Sequence, residues 1–172
     1  MSRGALLTVA FVAAGSNLAG PKGSPADAVR AAFRTLEDEQ IQVVKQSRLY
    51  ASTAWPDPAY PAFVNAVARI ETVLAPSALL ARLHEIEADF GRVRRQTNAP
   101  RTLDLDILDY GGVVSAPGET PVLPHPRLEG RAFVLLPLAE LDPAWRHPVT
   151  GKAIAELVAA LPDRAAAWLL DR

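Results

Sequence analysis

The segment 103–107, which reads LDLDI, alternates an aliphatic residue with an aspartate at every step. This period of two is typical of a β-strand with one buried face, and it fixes the register, because a slip by one residue would bury the carboxylates. Asp104 and Asp106 then leave the same face, about 7 Å apart. Aspartate is disfavoured in strands, and two carboxylates at that separation repel each other. We therefore expect a cation here, and Mg²⁺ is usually held by one or two carboxylates together with substrate phosphates.

The alternative interpretation of the acid pair is a solvated strand face, which antiparallel sheets commonly have. Against it, four arginines lie within ten residues of one another beside the pair: Arg92, Arg94, Arg95 and Arg101. Guanidinium groups bind phosphate oxygens in pairs and keep their charge. A metal-bound polyphosphate would satisfy the acids and the arginines together. A solvated charge run or an RNA-binding patch is the alternative for the arginines, although the chain lacks an RNP-type aromatic motif.

The periodicity of the rest of the chain predicts the elements around this strand. They are a strand at 5–15, a helix at 24–39, strands at 41–52 and 62–74, a helix from Pro76 to Gly91 and, after Gly111 and Gly112, a return strand at 113–114. The last third predicts helical additions. The order β-α-β-β-α-β is that of the split βαβ plan. We therefore predict an α+β, ferredoxin-like fold, an antiparallel sheet with helices on one face plus C-terminal helical additions, as one domain over residues 1–172.

Composition excludes several classes of function. The chain has 172 residues, a net charge of −1 and no cysteine. Disulfides, thiolate metal sites and cysteine nucleophiles are therefore absent, and the charge argues against general nucleic-acid binding. No run reaches the roughly 18 apolar residues of a membrane span. The N-terminal stretch MSRGALLTVAFVAAGSN predicts a buried strand and not a signal peptide, so we expect a cytoplasmic protein.

Two further segments bear on ligand binding. GSNLAGPKGS at 15–24 has Pro21 where a Walker loop requires lysine, so it predicts a turn near a ligand and not a P-loop. His125 lies between prolines in LPHPRLEGR, with Arg127 and Arg131 following. This arrangement favours an anion-binding corner over a zinc site, with a purely structural histidine as the alternative.

Five segments resemble a known family in order and spacing. They are AAGSNL at 13–18, FVNA at 63–66, GRVR at 91–94, PRTLDLDIL at 100–108 and PHPRLEGRAFVLLPL at 124–138. They are similar to the signature segments of the 6-hydroxymethyl-7,8-dihydropterin pyrophosphokinases, and the resemblance extends from about residue 7 to 160. It implies transfer of a pyrophosphoryl group from ATP to the pterin alcohol, with release of AMP, in folate biosynthesis.

The resemblance also implies roles for individual residues. Asp104 and Asp106 would hold two Mg²⁺ ions that bridge the ATP phosphates. The implied catalytic residues are Arg92, Arg101, Asp104 and Asp106. The implied nucleotide contacts are Glu87, Arg92, Arg94, Arg101, Ile107, His125 and Arg131. The implied pterin contacts are Ser52, Thr53, Trp55, Phe63, Asn65, Asp104 and Phe133, with the two phenylalanines enclosing the ring and the amide reading its edge.

The expected partners are ATP and 6-hydroxymethyl-7,8-dihydropterin, without nucleic acid or membrane. The segments 52–61 and 92–100 are long and polar or proline-bearing, so they are expected to act as lids. We expect a monomer, and contact with neighbouring folate enzymes is left open, because some relatives are fused to them. The alternative function is a non-catalytic, ferredoxin-like module that senses a nucleotide or metal.

Overall fold

The computed structural model describes residues 6–93 and 99–170. Its six described strands are Thr8–Ser16 (β1), Ile41–Gln46 (β2), Tyr50–Ser52 (β3), Phe63–Thr72 (β4), Asp104–Tyr110 (β5) and Ala167–Leu169 (β6). Its described α-helices are Pro25–Leu36 (α1), Pro76–Asp89 (α2), Ala132–Leu141 (α3) and Ile154–Ala159 (α4), with a 3-10 turn at Arg164–Ala166. No helix in these two ranges is long and apolar enough to cross a membrane.

The strand order confirms the split βαβ plan. The sheet runs β5-β1-β4-β3-β6, β2 also pairs with β4, and every pair is antiparallel. The single strand predicted at 41–52 is two strands, because the chain departs from regular pairing at Ser47. The Ser47 N–H donates to the carbonyl of Val67 (2.9 Å), but the Ser47 hydroxyl, not a backbone carbonyl, accepts the Val67 N–H (3.0 Å).

The first two helices begin where the sequence predicts, but α1 ends at Leu36 and not at residue 39, because Glu37 is already extended. At the start of α1, the Ser24 hydroxyl accepts the backbone N–H of Asp27 (3.2 Å) and the Asp27 carboxylate accepts the N–H of Ser24 (3.1 Å). This reciprocal pair satisfies two donors that a helix start leaves unbonded. Helix α2 begins at Pro76 and is followed by Gly91, whose φ of 79° suits a glycine after a helix.

Helices cover both faces of the sheet, whereas the sequence predicted one. On the first face, Val12 of β1 belongs to a core that includes Phe33 of α1 and Leu83 of α2. On the second face, Phe11 packs in a separate core with Leu135 of α3. Strand β1 is therefore buried on both sides, and the C-terminal additions form a true second layer.

The C-terminal third differs from the prediction at two places. Gly111 and Gly112 do form a turn with positive φ angles, but residues 113–114 are not a strand. Ser115 instead donates its N–H to the carbonyl of Leu123 (2.9 Å), which draws the chain away from β5. The segment 167–169, predicted as helical, is strand β6, which pairs with β3.

A β-bulge near the end of β5 places Asp109 in the second core. The β1–β5 register passes from Val12 opposite Ile107 to Phe11 opposite Asp109, which leaves Leu108 as the extra residue. One oxygen of Asp109 accepts the N–H of Gly112 (3.0 Å), inside the turn that follows β5. The other accepts the indole N–H of Trp145 (2.9 Å), which links β5 to the connection between α3 and α4.

Replacement of Trp145 by phenylalanine should destabilise the fold, because the buried Asp109 carboxylate would lose the indole donor. A buried acceptor oxygen that loses its donor costs about 1–3 kcal/mol, and the Gly112 N–H reaches only the other oxygen. The measurement is urea unfolding of Trp145→Phe against Trp168→Phe, since Trp168 lies half-exposed on β6. Equal midpoints for the two variants would contradict the proposed link.

Candidate active site

The acid pair lies on the second face of the sheet, at the end that α3 and α4 leave open. Asp104 is paired with Gly15 and Asp106 with Ala13, so both carboxylates share one face, as predicted. Leu105 and Ile107 point to the first core. The Asp106 side chain is 42% exposed and that of Asp104 is partly exposed, so both are accessible to a ligand.

Two arginines hold the carboxylate of Asp104, one on each oxygen. Arg92 Nη1 donates to Oδ1 of Asp104 and also to Oε1 of Glu87. Arg101 Nη1 donates to Oδ2 of Asp104 (3.0 Å). Arg94, a predicted nucleotide contact, lies outside the described residues. The predicted association of acids and arginines is therefore present for Arg92 and Arg101.

Glu87 supports this cluster from the core. Its side chain belongs to α2 and is 2% exposed, and Oε1 accepts the backbone N–H of Leu105 (2.7 Å). The same oxygen receives Arg92. Glu87 thus connects the first helical layer to β5 and to the arginine that contacts Asp104.

His125 and Arg131 flank the second carboxylate. His125 Nε2 lies 3.8 Å from Asp106 Oδ1, and His125 Nδ1 accepts the N–H of Arg127 (3.1 Å). Burial lowers the pKa of His125 below its ordinary value, against the opposing charge of Asp106. Because Nδ1 is used as an acceptor, a hydrogen on Nε2 would face the acid. Burial and the charge of Asp104 raise the pKa of Asp106, against His125 and Arg131.

The predicted pterin contacts Asn65 and Phe63 lie beside the acid pair on the same face, around the space that Gly15 leaves. Asn65 Nδ2 donates to the carbonyl of Tyr50 (3.2 Å) and to the hydroxyl of Ser52 (2.9 Å). Both amide hydrogens are therefore used, and Oδ1 is left as an acceptor. A Cβ at Gly15 would lie 3.2 Å from that oxygen and 3.7 Å from the ring of Phe63, so the missing side chain keeps this space open.

The two phenylalanines predicted to enclose a ring are each accompanied by an arginine. The guanidinium carbon of Arg101 lies 5.9 Å from the ring centroid of Phe63. That of Arg131 lies 5.5 Å from the centroid of Phe133, in the first turn of α3. Both rings are partly exposed. The arginines therefore link the aromatic pocket to the acid pair.

The side chains of three predicted ligand contacts, Thr53, Trp55 and Ile107, do not join the groups described above. Thr53 is exposed and Trp55 is 72% exposed in the segment between β3 and β4. Ile107 is buried in the first core, so a nucleotide could meet only its backbone. These three residues stay predictions.

The sequence reasoning missed Asn17, which joins three segments of the site. Its backbone N–H donates to the carbonyl of Arg101 (3.1 Å) and its Oδ1 accepts the N–H of Arg101 (2.9 Å). Its Nδ2 donates to the carbonyl of Pro61 (3.1 Å). The side chain is 2% exposed. The available signal was an asparagine directly after a buried strand; the sequence predicted a turn near a ligand there but gave Asn17 no role of its own.

The acid pair fits Mg²⁺ but would not complete its coordination. No group of three or more His, Asp or Glu side chains that could hold a metal occurs in 6–93 and 99–170. Two carboxylate-bearing residues next to phosphate-binding arginines are the usual protein share of a Mg²⁺ site whose other ligands are phosphates and water.

Replacement of Asn17 by alanine should loosen the two segments that it joins. Loss of the side-chain hydrogen bonds should cost about 1–2 kcal/mol of stability. Amide hydrogen exchange should accelerate at residues 53–62 and 99–102. Leu18→Ala, at an exposed neighbouring position, is the control, and equal exchange in both variants would rule out the joining role.

Replacement of Asp106 by asparagine should stabilise the protein free of metal and nucleotide. The pKa of Asp106 is higher in the folded protein than its ordinary value of 3.8. The protonated acid therefore contributes stability at pH values below 3.8, and this contribution is lost as the pH rises through the folded-state pKa. The melting temperature of Asp106→Asn in EDTA should exceed that of the unmodified protein at pH 7 but not below pH 3.8. Asp89→Asn, on an exposed residue, is the control; a lower melting temperature for Asp106→Asn at pH 7 would be the contrary result.

The comparisons with known proteins agree on one family. The family model described as 7,8-dihydro-6-hydroxymethylpterin-pyrophosphokinase (HPPK) matches residues 11–143. A 2-amino-4-hydroxy-6-hydroxymethyldihydropteridine pyrophosphokinase from Pseudomonas aeruginosa is 44% identical over 88% of this chain and 91% of that protein. The protein of the same name from Haemophilus influenzae is 37% identical over 91% of this chain and 95% of that protein.

Two longer proteins match over part of their length. The folic acid synthesis protein fol1 of Pneumocystis carinii is 37% identical over 89% of this chain, which spans 20% of that protein. The crystal structure of Plasmodium falciparum HPPK-DHPS superposes with a TM-score of 0.70 at 14% identity, over 92% of this chain and 42% of that one. This superposition supports the fold, and the family model and the two bacterial relatives carry the assignment: the chain belongs to the HPPK family.

Proposed function

We propose that this chain transfers a pyrophosphoryl group from ATP to 6-hydroxymethyl-7,8-dihydropterin, giving the pterin diphosphate and AMP in folate biosynthesis. The relatives that it covers over more than nine-tenths of their length are named as pyrophosphokinases of this pterin. We further propose that residues 1–172 act as one domain. The monomeric state and the contact with neighbouring folate enzymes stay predictions.

The observation that carries this proposal is the position of Gly15. It pairs with Asn65 on one side and with Asp104 on the other. Neighbouring strands are about 4.8 Å apart, so the amide and the acid are separated by about 10 Å across an open strand surface. A bicyclic ring that reaches Asn65 with one edge would therefore direct a substituent on its far end toward Asp104.

The pocket has the chemistry that a pterin requires. The ring is flat, with N–H donors along one edge, and Asn65 offers Oδ1 as an acceptor. Phe63 and Phe133 provide faces for stacking, which suits a flat heterocycle. The Gly15 Cα leaves room for the ring between the amide and Phe63.

The acids and arginines fit the transfer step. The pterin hydroxyl oxygen would bond to the β-phosphorus of ATP as the bond from that phosphorus to the α,β-bridging oxygen breaks. The hydroxyl loses its proton and AMP leaves. Arg92 and Arg101 would bind the transferring phosphates, because such reactions depend mainly on positioning and charge neutralisation. His125 and Arg131 would contact phosphate oxygens from the Asp106 side.

We infer that Asp104 and Asp106 hold two Mg²⁺ ions that arrive with ATP. Bound there, the ions would neutralise the phosphate charge and orient the reacting oxygens. Because Asp104 is held by two arginines in the protein alone, nucleotide phosphates would give these arginines an alternative partner and release the carboxylate for metal.

The decisive experiment is chromatographic analysis of nucleotide products with ATP and Mg²⁺, with and without the pterin. We expect AMP in equal amount to pterin diphosphate. Asp104→Asn should lower the rate by at least about a hundredfold, because removal of one charge-stabilising group typically costs that much. Asp38→Asn, at the opposite end of the sheet, should retain the rate.

Each other product pattern would identify a different function. ADP in place of AMP would mean single-phosphate transfer. Nucleotide binding without a pterin-dependent product would favour the non-catalytic sensor, and in that case Asp104→Asn would change affinity without abolishing any reaction.

A further inference from the structure

A carboxylate outside the acid pair joins the second helical layer to the strand beside the pterin pocket. Glu140 lies near the end of α3, and its Oε2 accepts the hydroxyl of Tyr50 (2.8 Å) and Nε of Arg48 (3.2 Å). Its Oε1 accepts the backbone N–H of Arg48 (3.0 Å). One side chain thus receives three donors from the segment that leads into β3.

The partners of Glu140 are matched to its charge. Burial and the hydrogen bond to Glu140 raise the pKa of Tyr50 to about 12, so its hydroxyl is a donor at all ordinary pH values. Burial alone would raise the pKa of Glu140, but the hydrogen bonds from Arg48 and Tyr50 outweigh it and lower the pKa. The Glu140 carboxylate is therefore charged, and Tyr50 and Arg48 are able to donate, throughout the neutral pH range.

Strand β3 needs such support because it is short. It has three residues, and it follows the interruption of pairing at Ser47. Yet this strand supplies both acceptors that orient the Asn65 amide, the carbonyl of Tyr50 and the hydroxyl of Ser52. A displacement of β3 would therefore turn the acceptor oxygen that Asn65 presents to the pocket.

The hydrogen bond between Glu140 and Tyr50 also relates the elements that carry the two phenylalanines. Helix α3 carries Phe133 in its first turn and Glu140 in its last, while β3 lies beside β4, which carries Phe63. A hydrogen bond between Glu140 and Tyr50 fixes the helix against the strand. The separation of the two aromatic rings thus depends on a contact that a bound ring would not touch.

We propose that Glu140 is a positioning residue for pterin recognition, which acts through Tyr50 to hold β3, and with it the Asn65 amide, against the helix that carries Phe133. That the ring is a pterin rests on the proposed function. That Glu140 positions β3 rests on the hydrogen bonds within the protein. Because the hydrogen bonds of Glu140 go to Arg48 and Tyr50, on the side of β3, its effect should fall on pterin affinity and not on ATP.

The test uses Glu140→Ala, Glu140→Gln and Tyr50→Phe, with Glu85→Gln as the control. Glu85 is an exposed carboxylate on α2 that pairs with Arg82 at 3.5 Å, so its change also removes a charged contact with arginine. Titration calorimetry would measure binding of 6-hydroxymethyl-7,8-dihydropterin in the presence of Mg²⁺ and α,β-methylene ATP, which cannot transfer a pyrophosphoryl group. Circular dichroism would establish that each variant is folded.

Tyr50→Phe removes one hydrogen bond to Glu140, so it should weaken pterin binding by about fivefold to tenfold. Glu140→Ala removes that bond and the two from Arg48, so it should weaken binding at least as much. The double variant should bind no more weakly than Glu140→Ala, because that variant already lacks the contact that Tyr50→Phe removes. Glu140→Gln keeps an acceptor for Tyr50 but not both acceptor oxygens, so it should recover part of the affinity. Affinity for the ATP analogue should change by less than about twofold in every variant.

A second readout needs no substrate. The two side-chain amide protons of Asn65, assigned in ¹⁵N spectra by comparison with Asn65→Ala, should shift and exchange faster in Glu140→Ala and Tyr50→Phe, but not in Glu85→Gln. Unchanged signals would overturn the positioning role whatever the substrate. Altered Asn65 amide signals together with an unchanged pterin affinity would show that Glu140 positions the amide without affecting recognition, which would overturn the proposal. Absence of pterin binding by the unmodified protein would count against the proposed function, while the amide signals would still decide the positioning role.

Discussion

Antiparallel pairing of β1 with both β4 and β5 is the constraint from which the site follows. Because β1 is buried on both faces, its register against each neighbour is fixed by packing. The two registers meet at Gly15, which brings Asn65 and Asp104 to the same height on the same face. The proposed ring-binding and phosphate-binding groups are therefore placed side by side by the backbone hydrogen bonds of the central strand.

The charged side chains of the site pair with one another to different extents. Asp104 is held between two arginines, and Glu87 supports one of them from the core. Asp106 is less well compensated, since burial and Asp104 both disfavour its charge. A strand face with such uncompensated charge is less stable than one packed with apolar side chains. Charged groups of this kind are typical of functional sites, where a ligand supplies the counter-charge.

Much of this could be predicted from the sequence, because the decisive signals are local. The alternation at 103–107 fixed the face of the acids, and capping residues fixed the start of α1. The interruption at Ser47 depends on a side chain that replaces a backbone acceptor, and the helical layer on the second face depends on packing between distant segments. The roles of Asn17 and Glu140 are equally non-local: each consists of hydrogen bonds to residues dozens of positions away, which no periodicity reveals.

Strand β6 has a consequence for solubility that is separate from catalysis. It lies beyond the residues matched by the family model, yet it occupies the outer edge of β3, the strand that orients the Asn65 amide. An uncovered edge would present unpaired backbone groups to a strand of another chain. With β6 in place, the exposed edge is a three-residue strand with little to offer a second molecule. Strand β6 thus shields β3, and the Asn65 amide that β3 orients, from pairing with a strand of another molecule.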